Sequence, residues 1–145
     1  MTKNKRYLGI DYGTKKLGIA LSDDQGKVAF PREVVPNDHL LFPYLDELCQ
    51  RENIAEIVIG ESKNLSGEPN PLQHEILSFT HRLEKITGLF ANLEPEYLTT
   101  RQAMMIQGRN KMTDASAAAL ILQSFLDRLN NRKSKESKKD GKKKS

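Results

Sequence analysis

The segment LGIDYGTKKLGIALSD, residues 8–23, constrains the fold more than any other part of the chain. Two short apolar runs flank the polar stretch Gly13–Lys16, and this pattern indicates a β-hairpin. The turn residues 23–26 and the stretch 27–35 add a third strand. The chain is therefore expected to open with three antiparallel strands and to place Asp11 at the end of the first.

The middle of the chain alternates helical and strand patterns. Asn37 or Asp38 is a candidate N-cap for a helix that runs to about Glu52, with Pro43 tolerated in its first turn. Residues 56–60 have the composition of a buried strand. Because a helix separates this strand from the opening three, we expect it to pair in parallel.

Helical patterns dominate the second half. After a polar loop, apolar residues at steps of three and four predict a helix over 72–86, which Gly88 ends. A short strand fits residues 89–93, a helix fits about 100–107, and a last helix begins at Thr113. The expected fold is an α/β domain with a mixed five-stranded sheet and helices on both faces.

Length and charge divide the chain into two parts. A chain of 145 residues fits one domain, and we expect that domain to span residues 1–130. The segment 131–145 carries eight Lys or Arg against two acids, so we expect a disordered tail. Since the whole chain carries a net charge of +4, the tail holds the positive charge and the domain is slightly acidic. The tail is either a nonspecific phosphate-binding arm or a solubilising segment.

The lone cysteine and the hydropathy bear on the compartment. Cys49 falls among the apolar positions of a helical pattern, so we interpret it as a core residue. No apolar stretch is long enough for a signal peptide or a membrane span. We therefore expect a soluble protein of the reducing cytoplasm.

Asp11 is the first candidate for chemistry. A carboxylate at the end of an apolar strand is costly to desolvate unless it is paired, exposed or bound to a metal. Gly13, two residues later, lets the backbone approach a phosphate closely. The alternative is a structural aspartate that caps the hairpin.

Further carboxylates follow separate elements of the chain. Glu61 comes directly after the fourth strand, Glu96 follows the fifth with Glu94 as its competitor, and Asp114 lies in the first turn of the last helix. If the fourth strand is parallel to the first, Asp11 and Glu61 emerge at the same edge of the sheet. Each of these acids has an alternative role, as an exposed side chain or, for Asp114, as a partner of the helix dipole.

Such a set of oxygen ligands suits Mg²⁺ or Mn²⁺ rather than zinc. Two ions about 3.5–4 Å apart would activate a water and stabilise the leaving oxygen of a phosphodiester. Three histidines lack ligand spacing and are interpreted as helix-surface residues: His39, His74 and His81. Candidate metal ligands are Asp11, Glu61, Glu96 and Asp114.

Basic and hydroxyl side chains near these acids could bind substrate phosphates, a type of contact that positions nucleic acid without reading its sequence. Arg109 and Lys111 would add positive charge around the acids. The candidate substrate contacts are Gly13, Thr14, Lys15, Lys16, Lys63, Thr99 and Arg101.

Four segments, YLGIDYGTKKLGIALSD, IVIGESKNLSG, EYLTTRQA and TDASAAALILQSFLD, resemble in this order the YqgF/RuvX family, which has an RNase H-like fold. The resemblance spans about residues 6–128. It implies that Asp11, Glu96 and Asp114 form the catalytic acidic triad of a metal-dependent nuclease. Members are described as Holliday junction resolvases and as nucleases that mature the 5′ end of 16S ribosomal RNA.

The chain departs from the family pattern at two places. It reads Pro95-Glu96-Tyr97 where members typically read D-E-R, and Gly60-Glu61-Ser62 where they typically read G-L-P. Our hypothesis is that Glu61 compensates in part for the altered motif. A protein that binds nucleic acid without cutting it is the alternative.

The expected function is therefore a metal-dependent endonuclease that acts on structured nucleic acid, with precursor 16S rRNA as the substrate that the resemblance implies. A four-way DNA junction is the second substrate. A resolvase must make two symmetric cuts and is expected to be a homodimer, whereas the RNA nuclease can be a monomer. An actin-like ATPase is not expected, because such proteins hold nucleotide between two domains of this kind.

Overall fold

The computed structural model describes residues 5–60, 73–94 and 114–143, with the backbone alone at 73, 114 and 133–143. Five strands form one sheet in the order β3-β2-β1-β4-β5. The elements are, in chain order, β1 (Arg6–Asp11), β2 (Lys16–Ser22), β3 (Ala29–Pro36), α1 (Leu41–Arg51), β4 (Ile54–Gly60), α2 (Gln73–Thr87), β5 (Ala91–Leu93) and α3 (Asp114–Lys143).

Strand β1 lies at the centre of the sheet. It pairs antiparallel with β2 and parallel with β4, and these pairings place Asp11 between Gly18 and Gly60. Strand β5 pairs in parallel with β4. The predicted antiparallel opening strands and the predicted parallel pairing are both confirmed. Strands β1, β4 and β5 therefore end at one edge of the sheet, which we call the carboxyl edge.

Helices cover both faces of the sheet, so the predicted layer arrangement is confirmed. Helices α1 and α2 pack on one face, where the buried side chains include Ile10 and Ile59. Helix α3 packs on the other face, against Tyr7, Ala20 and Val58. Because side chains alternate along a strand, Tyr7, Gly9 and Asp11 all lie on the α3 face.

Gly9 sets how closely α3 approaches the sheet. A Cβ atom at this position would lie 2.8 Å from the Cβ of Leu122 and 3.1 Å from the carbonyl oxygen of Ala118. At Gly60, a Cβ atom would lie 3.0 Å from Cγ2 of Ile121. The absence of side chains at these two positions lets the helix backbone sit directly on the central strands.

The direction of α3 follows from its contacts with β1. The Tyr7 ring lies 5.8 Å from the Phe125 ring, and Gly9 lies beside Leu122 and Ala118. Each step of two strand residues, about 6.6 Å, thus matches four helical residues, about 6 Å. One further step sets Asp11 against the turn that begins at Asp114. Helix α3 therefore starts at the carboxyl edge.

The start of α1 differs from the prediction. Its N-cap is Leu40, without a side-chain cap, so neither Asn37 nor Asp38 caps the helix. Asn37 instead donates from Nδ2 to the Gly13 carbonyl at 2.9 Å and from its backbone N–H to the Lys15 carbonyl at 2.9 Å. The side-chain amide and the backbone N–H of Asn37 are thus bonded to the β1–β2 hairpin rather than to the start of α1. Pro43 lies in the first turn of α1, as predicted.

The ends of the later helices show one agreement and two differences. Gly88 follows α2 with a φ of 72°, which confirms it as the helix terminator. Ile86, however, is 43% exposed and lies outside the buried stripe. Helix α3 continues to Lys143, so the backbone of 131–143 is helical where composition predicted a disordered tail. Lys, Arg and Glu have high helix propensity, which favours continuation of an existing helix. The predicted helix over 100–107 lies outside the described residues.

Candidate active site at the carboxyl edge

Asp11 is a buried carboxylate at the end of the central strand. It is 4% exposed, and its two neighbours in the sheet, Gly18 and Gly60, have no side chains. Apolar residues fill the rest of β1 from Tyr7 to Ile10, apart from Gly9. A charge in such surroundings needs a compensating group. Asp11 lies on the α3 face, against the start of that helix.

The turn after Asp11 has a fixed geometry. A Cβ atom at Gly13 would lie 2.4 Å from the Lys16 carbonyl oxygen, so no other residue fits this turn. Asn37 holds the turn through the two hydrogen bonds to Gly13 and Lys15. Thr14, Lys15 and Lys16 are exposed around it. Two cationic side chains are therefore presented beside the buried carboxylate, and their contact with phosphate remains a prediction.

Tyr12 is a residue of this edge that sequence reasoning missed. Its backbone N–H donates to the Gly60 carbonyl at 2.8 Å, and this bond continues the pairing of β1 with β4. Its ring lies 5.0 Å from that of Phe79, and its hydroxyl lies 3.4 Å from a carboxylate oxygen of Glu75. Burial raises the pKa of Tyr12. The sequence signal that could have identified Tyr12 is its position directly after Asp11.

Glu94 is the second buried carboxylate at the carboxyl edge. Its backbone N–H donates to the Ile59 carbonyl at 2.8 Å, and its side chain forms an ion pair with Arg128 of α3. Burial raises the pKa of Glu94, and Arg128 acts in the opposite direction. The sequence named Glu94 as the competitor of Glu96. The structure shows that Glu94 joins β5 to α3.

The structure describes the other predicted metal ligands only in part. Asp114 is the first residue of α3, and its backbone lies at the carboxyl edge. Glu61 follows Gly60 directly in the chain, but Glu61 and Glu96 lie outside the described residues. Over 5–60, 73–94 and 115–132, no three Asp, Glu, His or Cys side chains are grouped to hold a metal ion. The predicted substrate contacts outside the described residues are Lys63, Thr99 and Arg101.

The histidines and the cysteine lie away from this edge or on the surface. His74 and His81 are exposed on α2, as predicted. His39 is exposed in the turn before α1, so its predicted placement on a helix is wrong. Cys49 is buried, and burial raises its pKa to about 12, which agrees with a core role. In the described part of the chain, no helix is long and apolar enough to cross a membrane.

Solved structures share this fold. Thermus thermophilus RuvC in complex with a Holliday junction substrate aligns with a TM-score of 0.55 at 16% sequence identity. The alignment covers 86% of this chain and 96% of RuvC. A second Thermus thermophilus RuvC structure gives a TM-score of 0.54. This likeness confirms the expected RNase H-like fold.

Sequence relatives cover nearly the whole chain. A Bacillus subtilis protein named "Putative pre-16S rRNA nuclease" is 38% identical, over 86% of this chain and 99% of the relative. A Bacillus cereus protein of the same name is 33% identical, over 85% and 98%. The sequence model of the RuvX family, described as "Holliday junction resolvase", matches residues 5–128. The chain therefore belongs to the RuvX family.

Proposed function

We propose that this protein is a metal-dependent endonuclease that cleaves the phosphodiesters of structured RNA, with the 5′ end of precursor 16S rRNA as its substrate. The observation that carries the proposal is the buried Asp11 at the point where β1 and β4 end and α3 begins. Relatives that align over almost their full length carry the name of a pre-16S rRNA nuclease, which supports the choice of RNA.

The residues of this edge fit Mg²⁺ or Mn²⁺. Asp11 offers carboxylate oxygens on the α3 face at the end of the central strand, and oxygen ligands of this kind suit hard cations. Glu61, Glu96 and Asp114 are the further ligands that we propose. When bound, the metal ions supply an activated water and charge stabilisation for the leaving oxygen.

The protein's own groups would position the substrate. The rigid turn at Gly13 allows close approach of a phosphate, and the exposed Lys15 and Lys16 offset its charge. Lys63, Thr99 and Arg101 complete the proposed substrate contacts. Phosphate contacts carry no sequence information, so the shape of the folded RNA would select the cleavage site.

The test compares Asp11→Asn with Asp24→Asn. Asp24 is an exposed acid at the opposite end of the sheet, so its variant controls for loss of one negative charge. Each protein is incubated with precursor rRNA fragments in Mg²⁺, Mn²⁺ or EDTA. Wild type and Asp24→Asn should cut in either metal and not in EDTA, whereas Asp11→Asn should lose at least about a hundredfold in rate. Equal cutting by Asp11→Asn would refute the assignment.

A junction resolvase is the second candidate function, because the family is described by that activity. The same experiment carries four-way DNA junctions as a parallel substrate. Two symmetric cuts by a homodimer would identify a resolvase, whereas RNA cleavage by a monomer supports the first proposal. Binding that survives Asp11→Asn, without any metal-dependent product from wild type, would identify a non-catalytic binding factor. Processing of rRNA would place the protein in the cytoplasm.

A further inference from the structure

A groove of about 350 Å³ lies between the β5 edge of the sheet and α3. Strand β5 is the last strand and has three residues, so it shields this side of the helix only in part. Phe90, just before β5, is 62% exposed. The lining residues that matter here are Phe90, Asn92, Phe125, Arg128, Leu129 and Arg132.

One end of the groove reaches the carboxyl edge. Glu94, which follows β5, lines it and pairs with Arg128. Arg132 lies one helical turn beyond Arg128 and is exposed. The groove thus leads away from the candidate active site along α3, with an aromatic ring on one wall and two guanidinium groups on the other.

This combination matches the chemistry of unpaired nucleic acid. Proteins that bind single strands combine aromatic side chains, on which bases stack, with cationic groups that follow the backbone. The groove volume is near the lower end of the range for small-ligand pockets, about 300–1,000 Å³. Such a space suits a ligand about the size of one unpaired nucleotide.

Charge distinguishes nucleic acid from a second copy of the chain. Helix α3 continues past Arg132 to Lys143, and the sequence from Arg132 onward carries eight Lys or Arg against two acids. A two-fold dimer through this side of α3 would bring two such basic segments together, and like charges oppose that contact. A polyanion is attracted instead.

We propose that the groove between β5 and α3 binds a single-stranded segment of the substrate that flanks the cleavage site. This inference rests on the proposed function for the identity of the nucleic acid. Bases stack on Phe90, and Arg132 neutralises a phosphate.

The test measures binding of a fluorescent single-stranded RNA of about 10 nucleotides to the full chain in EDTA. Phe90→Ala is compared with Phe30→Ala, because Phe30 is also exposed (54%) but lies on the opposite edge strand. Loss of one stacking contact should weaken binding about 5- to 150-fold. The Phe30→Ala variant should stay within about twofold of wild type.

Arg132→Gln provides a second variant, with Arg51→Gln as its matched control, since Arg51 is half exposed at the end of α1. Arg132→Gln should weaken binding and reduce the slope of log Kd against log salt by about 0.7. Arg51→Gln should leave that slope unchanged.

The inference is overturned if Phe90→Ala binds RNA as tightly as Phe30→Ala. It is also overturned if sedimentation shows a dimer that Phe90→Ala dissociates while RNA binding is unchanged, because a second copy then occupies the groove. Since EDTA removes cleavage from the measurement, this outcome is independent of the nuclease test.

Discussion

Replacing Gly9 by alanine tests the packing that brings α3 to the sheet. A Cβ atom at residue 9 would meet the Leu122 Cβ at 2.8 Å and the Ala118 carbonyl oxygen at 3.1 Å. Both atoms belong to the body of the helix and cannot rotate away. Gly60→Ala is the matched control, because its Cβ would meet a side-chain methyl, Cγ2 of Ile121, at 3.0 Å, and a methyl group can shift by a few tenths of an ångström more readily than the helix backbone.

The expected cost follows from the displacement. Ordinary van der Waals contact begins near 3.4 Å, so α3 must move outward by roughly 0.6 Å at Gly9. Overpacking of this kind destabilises the fold by about 1–3 kcal/mol. Because alanine has less conformational freedom than glycine in the unfolded chain, the substitution also stabilises the fold by about 0.4–1 kcal/mol. We therefore expect Gly9→Ala to lose about 1–2 kcal/mol of unfolding free energy, and Gly60→Ala to lose less than about 1 kcal/mol.

Urea unfolding of both variants measures this difference, and cleavage of precursor rRNA by the folded proteins measures its effect on the site. An outward shift of α3 also moves the helix start at Asp114 away from Asp11. Because a misplacement of about 1 Å can cost a hundredfold in rate, Gly9→Ala should lose activity well beyond its loss of folded protein. Equal stability losses at Gly9 and Gly60, or full activity in Gly9→Ala, would refute this account of the packing.

Further predictions concern the Glu94–Arg128 pair, Cys49 and Asn37. Glu94→Gln should cost little or stabilise the fold at pH 7, because burial raises the pKa of Glu94 and wild-type stability therefore falls as pH rises through that pKa. Arg128→Gln should lower the free energy of unfolding by about 1–3 kcal/mol in the same urea assay, since it leaves the Glu94 carboxylate buried without its cation. A larger loss of stability in Glu94→Gln than in Arg128→Gln would contradict this account. Cys49 has a pKa raised to about 12, so it should resist thiol reagents at pH 8 until the chain unfolds. Its contribution to stability should decline between about pH 9 and 12. Rapid labelling of the native protein would contradict the burial of this thiol. Asn37→Ala should cost about 1 kcal/mol through loss of its bond to the Gly13 carbonyl and should raise KM for RNA more than it lowers kcat, whereas an unchanged KM would remove Asn37 from substrate positioning.

Local patterns were sufficient to predict the sheet and most element ends. Gly88 ends α2 because its φ of 72° suits glycine, and this requirement is visible from composition alone. The parallel pairing of β1 with β4 follows from the helix between them. Such features depend on neighbours in the chain, which a sequence shows directly.

Contacts between distant residues were not predictable in the same way. Asn37 has the composition of a helix cap, yet its partners are Gly13 and Lys15 in the hairpin. Glu94 finds its cation 34 residues away on α3. No local pattern distinguishes an exposed glutamate from one that a helix buries later in the chain.

For the candidate site, the sequence identified Asp11 and the edge at which it lies, but it did not show why α3 begins there. That depends on two glycines that pack under the helix, at positions where sequence alone indicates only a weak strand. The roles of Glu61, Glu96 and Asp114 remain predictions.

The packing of α3 on β1 also has a consequence for the order of folding. The two elements are separated by about a hundred residues of chain, and non-local contacts of this kind form late. During synthesis from the N-terminus, strands β1, β2 and β4 can pair before α3 exists, with Tyr7, Ala20 and Val58 uncovered. Docking of α3 therefore completes the hydrophobic core on its face of the sheet. The same step brings residue 114 to the carboxyl edge, where Asp11 lies.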